Sequence, residues 1–98
     1  MEVEFRDKKL ALVETDRAAE TKLPVALIES LRDKLGFIRS AKSEMSLRNW
    51  KSLHYEKLSG KRSEERSIRL NKQWRLIFTV NSECEPPKIT VLGVEDYH

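Results

Sequence analysis

Hydrophobic residues recur at helical spacing in the first half of the chain and alternate with polar residues in much of the second half. Four aliphatic positions repeat every three or four residues: Leu27, Leu31, Leu35 and Ile38. This stripe predicts a helix that faces the core, with Thr21 as its N-cap and Pro24 in its first turn. A shorter helix capped by Asp7 is predicted before it, and alternation over Val3–Phe5 predicts a first strand.

Period-two alternation after Trp50 predicts the rest of a sheet. The stretches SLHYEKL, SIRLNKQWRLIFTV and KITVLGV have the composition of strands, and the prolines of SECEPP separate the last two. The length suits one domain over residues 1–98. The predicted order is β-α-α-β-β-β, an α+β domain in which two N-terminal helices pack on one face of a small, mostly antiparallel sheet.

The register of the hairpin SIRLNKQWRLIF decides what its polar face carries. A two-residue turn would set apolar residues opposite polar ones, whereas a three-residue loop over 71–73 pairs Ile68 with Leu76. Cross-strand partners share a face, so only the second register gives one apolar face. It also sets Arg69 opposite Arg75, which is destabilising unless solvent or an anion relieves the repulsion. Because guanidinium groups match phosphate geometry, we interpret the two arginines as a phosphate-binding pair; two arginines on a solvated face are the alternative.

Charge is concentrated in the middle of the chain. The formal net charge is +3, but residues 48–75 contain nine Lys or Arg and only three acids. A basic segment of this kind is the electrostatic footprint of a protein that binds a polyanion such as nucleic acid. An acidic protein partner is the alternative.

Composition excludes several classes of protein. No apolar run approaches the roughly 20 residues that span a bilayer, and the N-terminus lacks the apolar stretch of a signal peptide, so we expect no membrane association. The lone Cys84 has no CxxC or histidine ligand pattern near it, so neither a disulfide nor a metal or cofactor site is expected. A reducing cytoplasm is the expected location.

Three stretches carry a resemblance to a known family: LHYEKLSGKR, SIRLNKQWRLIF and the terminal VEDYH. Together they resemble the HigB-type killer toxins of the RelE/ParE superfamily, the toxin halves of bacterial toxin–antitoxin pairs, across the whole chain. The resemblance implies a RelE-like fold and an endoribonuclease that cuts messenger RNA in the ribosomal A site. It also implies a helix-turn-helix antitoxin of the HigA type as partner. The toxin would then contact operator DNA only as part of the complex with that antitoxin.

The implied reaction needs no metal, because general acid–base residues and fixed cations suffice for attack by a 2′-hydroxyl on the adjacent phosphate. The resemblance places His54 on a strand that lines the toxin cleft. It implies four catalytic residues: His54, Arg75, Tyr97 and His98. It implies three substrate-binding residues: Lys57, Arg69 and Asp96. Many relatives carry Leu-Lys-Gly where this chain has Leu58-Ser59-Gly60, so whether Lys57 takes the role of that lysine stays open.

Two other functions remain compatible with the sequence. Relatives of the ParE type share the fold and are described as gyrase poisons that are not enzymes, and fold alone does not assign a nuclease. A basic RNA-binding module without chemistry is the third possibility. The two histidines and the terminal motif favour the nuclease over both.

Overall fold

A computed structural model describes residues 1–96, so Tyr97 and His98 lie outside the described residues. Within residues 1–96, five strands form one sheet: β1 (Glu2–Phe5), β2 (Glu56–Lys57), β3 (Arg66–Arg69), β4 (Trp74–Asn81) and β5 (Lys88–Asp96). Their spatial order is β1-β5-β4-β3-β2. Only β1 pairs in parallel, with β5, and the other three pairings are antiparallel. The predicted α+β class with a mostly antiparallel sheet is confirmed.

Two α-helices follow β1: α1 (Val25–Ser40) and α2 (Glu44–Asn49). The predicted aliphatic stripe lies on α1 and is at most 1% exposed. Pro24, rather than Thr21, is the N-cap residue of α1, because Thr21 ends a 3₁₀ turn and its hydroxyl donates to the carbonyl of Ala18. Each helix among residues 1–96 is too short or too polar to cross a membrane.

The prediction of a short α-helix after Asp7 is wrong, because this segment forms a different kind of turn. Residues Leu10–Glu14 form a 3₁₀ turn, and the Asp7 carboxylate accepts from the backbone of Lys9 without capping a helix. Leu10 and Val13 are both buried, and a spacing of three residues is satisfied by a 3₁₀ turn as well as by an α-helix. The second helix of the fold is therefore α2, which follows α1.

One hydrophobic cluster joins α1 to one face of the sheet, where Ile68, Leu76 and Phe78 are fully buried. The hairpin register is the predicted one, with Ile68 opposite Leu76 and Arg69 opposite Arg75. The side-chain oxygen of Asn71 accepts from the backbone N–H groups of Gln73 and Trp74, at the end of the loop and the start of β4, which favours the three-residue connection. The core face is thus apolar, and the two arginines share the opposite face.

The stretch before β2 departs from the predicted strand. Residues Lys51–Leu53 form a 3₁₀ turn that buries Leu53, and His54 follows with a left-handed backbone, φ 48°. The His54 N–H closes this turn on the carbonyl of Lys51 at 3.1 Å. The prediction that His54 lies on a strand is wrong, because the chain must turn there to bring Leu53 into the core.

Candidate active site

Arg75 is an arginine held in the sheet rather than a surface side chain. It is 6% exposed, and its Nε donates to Ser67 Oγ at 2.8 Å, while Ser67 itself is fully buried. One of its terminal nitrogens, Nη2, donates to the backbone carbonyl of His54. These two neutral acceptors, one on β3 and one before β2, fix the direction of the guanidinium group.

Arg69 approaches the same histidine from its ring side. Its Nη1 lies 3.3 Å from His54 Nε2, and its Nε donates to the carbonyl of Asn71 at 3.2 Å. A guanidinium group has no acceptor, so Nε2 acts as the acceptor in this contact. The two cross-strand arginines therefore meet at His54, one at the main chain and one at the imidazole.

A cavity of about 230 Å³ opens where these side chains meet. Six residues line it: His54, Glu56, Arg69, Asn71, Lys72 and Arg75. Three of the six are cations and one is a carboxylate, which suits an anionic group such as a phosphate. The left-handed residue His54 stands at its border, and non-glycine residues in that conformation are uncommon, although histidine tolerates it better than most.

A second cavity of about 190 Å³ adjoins the first and shares Glu56 and Arg75 with it. Arg62, from the loop between β2 and β3, donates to both carboxylate oxygens of Glu95, at 3.1 and 2.5 Å. Hydrogen bonds to Glu95 and to Glu65 raise the pKa of Arg62 above its usual value. Because Glu95 is the β5 partner of Arg75, this ion pair ties the loop to the face that carries the arginines.

Asp96 and Lys57 lie in different surroundings. Asp96 is opposite Trp74, accepts from Gln73 Nε2 at 3.0 Å and lines the second cavity. Lys57 pairs with Arg66, so it faces away from the arginine pair, onto a shallow groove of about 390 Å³. Of the predicted site residues, the structure brings His54, Arg69 and Arg75 together, sets Asp96 beside them and places Lys57 on the other face. Tyr97 and His98 lie outside the described residues.

A hydrogen-bonded cluster around the Glu44 carboxylate holds Tyr55, the residue that follows His54, in place. The Tyr55 hydroxyl donates to Glu44, and burial, followed by this hydrogen bond, raises the pKa of Tyr55 to about 12. Burial acts to raise the pKa of Glu44, but Tyr55, Arg48 and Arg66 outweigh it, so that pKa is lowered. The cluster joins α2 to β3 and holds the chain on one side of His54.

Three contributors escaped the sequence analysis: Ser67, Glu56 and Glu44. Ser67 stands two residues before Arg69, and residues two apart on a strand share a face, so strand alternation could have identified it. Glu56 is placed on that face by its pairing with Ser67, which no local pattern reveals. Glu44 is brought to Tyr55 by the packing of α2, again a tertiary effect.

Comparison with solved structures identifies the class of fold as that of small bacterial toxins. The YoeB/ParE toxin from Agrobacterium tumefaciens superposes with a TM-score of 0.59 at 14% identity, covering 100% of both chains. In the YoeB–YefM complex from Staphylococcus aureus, the matching chain gives a TM-score of 0.56 at 17% identity, covering 100% of this chain and 97% of that chain. At such identities the likeness is one of fold.

Sequence comparison gives the family. Residues 3–88 match the family model of HigB-like toxins, described as the RelE-like toxin of type II toxin–antitoxin system HigB. Toxin HigB-1 from Vibrio cholerae serotype O1 is 36% identical over 94 residues, which cover 90% of this chain and 99% of the relative. The chain belongs to the HigB family of RelE-like toxins of type II toxin–antitoxin systems, and the resemblance found in the sequence is confirmed.

Proposed function

We propose that this toxin is an endoribonuclease that cleaves messenger RNA in the ribosomal A site without a metal ion. The observation that carries the proposal is the convergence of His54, Arg69 and Arg75 on one cationic cavity. Membership of the HigB family supports it, because nuclease activity is what resemblance to that family implies.

The geometry suits attack by a ribose 2′-hydroxyl on the adjacent phosphate. The proton leaves O2′, O2′ bonds to phosphorus, the P–O5′ bond breaks, and O5′ receives a proton, which yields a 2′,3′-cyclic phosphate and a 5′-hydroxyl end. Arg69 and Arg75 would hold the non-bridging oxygens and stabilise the charge that develops on them. His54 would transfer a proton in this reaction.

The other predicted site residues keep their proposed roles around this centre. His98 would be the alternative to His54 as a proton-transfer group, and Tyr97 would stack on or hydrogen-bond a base. Asp96 would contact the substrate from the adjoining cavity. Lys57 faces away from the arginines, so it would contact RNA outside the cavity where cleavage takes place.

We further propose that the toxin is neutralised by a helix-turn-helix antitoxin of the HigA type, and that it meets operator DNA only through that complex. The solved YoeB–YefM complex, whose toxin fold matches this chain, supports a toxin–antitoxin pairing of this general kind. Both assignments rest on the family.

The decisive experiment is primer-extension mapping of message ends after a pulse of expression. Wild type is compared with His54→Ala and with Lys8→Ala, which removes an exposed cation outside the basic segment. We expect discrete cuts inside translated codons for wild type and Lys8→Ala, and none for His54→Ala. Intact messages together with DNA-damage signalling would instead identify a gyrase poison of the ParE kind.

A further inference from the structure

Glu56 is a carboxylate within a cavity otherwise dominated by cations. It pairs across the sheet with Ser67, so it lies on the face that carries Arg69 and Arg75. It lines the same cavity as His54, at the border with the second cavity. Glu56 is thus placed where a phosphodiester held by the two arginines would lie.

The carboxylates that border the two cavities differ in what already occupies their oxygens. Glu95 accepts at both oxygens from Arg62, and Asp96 accepts from Gln73. The carboxylate of Glu56 makes no hydrogen bond or ion pair with any other residue of the described range 1–96. Of these three groups, Glu56 is therefore the one available to take a proton.

The contact between Arg69 and His54 bears on which group acts as the base. In the protein without RNA, the Nε2 lone pair of His54 accepts from Arg69, so it is engaged. A bound phosphate would draw the guanidinium of Arg69 to itself. The Nε2 atom of His54 would then be released beside the phosphate, where it could carry the proton that a general acid donates.

We propose that Glu56 is the general base of the cleavage and His54 its general acid, an assignment that rests on the proposed nuclease function. The carboxylate of Glu56 takes the proton from O2′ as O2′ bonds to phosphorus. His54, as imidazolium, gives its proton to O5′ as the P–O5′ bond breaks. Glu56 ends protonated and His54 neutral, and exchange with solvent restores both.

Titratable or charged groups line both cavities beside Glu56. The first cavity contributes His54, Arg69, Lys72 and Arg75, and the second contributes Arg62, Glu95 and Asp96 together with Arg75. Arg69, Lys72 and Arg75 place positive charge around the cavity where the Glu56 carboxylate would act as the base. A carboxylate base and an imidazolium acid give a bell-shaped dependence of rate on pH.

The test is single-turnover cleavage of a ribosome-bound message by wild type, Glu56→Gln, Glu56→Asp and a matched control. Glu56→Gln keeps the size of the side chain and removes the base, so the rate should fall about 10²- to 10⁴-fold. Its affinity for the ribosome-bound message should be retained or increased, because a negative charge near the phosphate is lost. Glu56→Asp should recover part of the rate. The control is Glu64→Gln, an exposed acid of the same basic segment that lines neither cavity.

The pH profile separates catalysis from positioning. Glu56→Gln should lose the rising acid-side limb of the profile and keep the falling limb, whereas a structural role would lower the whole curve and the melting temperature together. Cleavage by Glu56→Gln at the wild-type rate, or with both limbs intact, overturns the assignment while leaving the nuclease function standing. If the wild-type protein leaves the message uncut, both the assignment of Glu56 and the nuclease function are overturned. Including wild type therefore distinguishes failure of the assignment from failure of the proposed function.

Discussion

Truncation of the two cross-strand arginines should change stability by different amounts. Arg75→Ala leaves the fully buried hydroxyl of Ser67 and the carbonyl of His54 without the donors they have now. The buried Ser67 hydroxyl left unsatisfied costs about 1–3 kcal/mol, whereas water can reach the carbonyl of the exposed residue His54. Arg69 is only half-buried, and its contacts lie at the surface. Either truncation removes the destabilising like-charge pair, but Arg69→Ala leaves no buried group without a partner, so its stability should be unchanged or slightly higher.

Thermal melts of the two variants in low-salt, phosphate-free buffer measure this difference. For a domain of this size about 1 kcal/mol shifts the melting temperature by roughly 4–8 °C, so Arg75→Ala should melt clearly below wild type. Both variants should lose cleavage, because each removes a cation from the phosphate site. Ser52→Ala, at an exposed serine, controls for truncation on the surface. The reasoning fails if Arg75→Ala melts with wild type, or if Arg69→Ala is destabilised as much as Arg75→Ala.

Four further predictions concern the hydrogen-bonded cluster of Glu44 and Tyr55, the basic face and the chain end. The lowered pKa of Glu44 means that its contribution to stability is present above its unfolded-state pKa and is lost as pH falls, so Glu44→Gln should flatten the acid side of a plot of melting temperature against pH. Tyr55, with its pKa raised from 10.0 to about 12, should contribute stability that is lost between those values as pH rises, and Tyr55→Phe should abolish that loss. Ribosome binding should weaken as salt is added, because contacts between cations and phosphates release counterions, and a flat salt response would contradict a basic RNA face. Deleting Tyr97 and His98 should abolish message cleavage without lowering the melting temperature, since β5 is paired through Asp96; full activity of the truncated toxin would show that the ending is dispensable.

Local chemistry was sufficient to predict the elements that have strong local signals. The aliphatic stripe of α1 and the register of the hairpin both followed from spacing, and the hairpin is reinforced by Asn71 within its loop. The turn at Leu10–Glu14 was mistaken for a helix because a single pair of buried residues at spacing three does not distinguish the two. Element boundaries that depend on packing could not be predicted in this way. One example is the start of α1, which lies after Pro24 because Thr21 still belongs to a 3₁₀ turn.

In the candidate site too, contacts set by local pairing could be predicted and contacts set by tertiary packing could not. Placing Arg69 opposite Arg75 required only the rule that cross-strand partners share a face. The position of His54 could not be predicted, because its left-handed turn arises from the burial of Leu53. Alternation along SLHYEKL was compatible with a longer strand, and tertiary packing shortened it to two residues.

The difference between the two arginines explains how a like-charge pair can persist in a stable sheet. Arg75 is fixed by neutral oxygen acceptors from Ser67 and His54, so its charge is solvated by the protein itself. Arg69 reaches the exposed ring of His54 through a single contact at 3.3 Å, which an anion can replace at little cost. A phosphate entering the cavity would therefore find one cation already positioned and one able to move onto it. Its charge would relieve the repulsion between the two arginines, so binding the substrate and stabilising this face of the sheet are the same event.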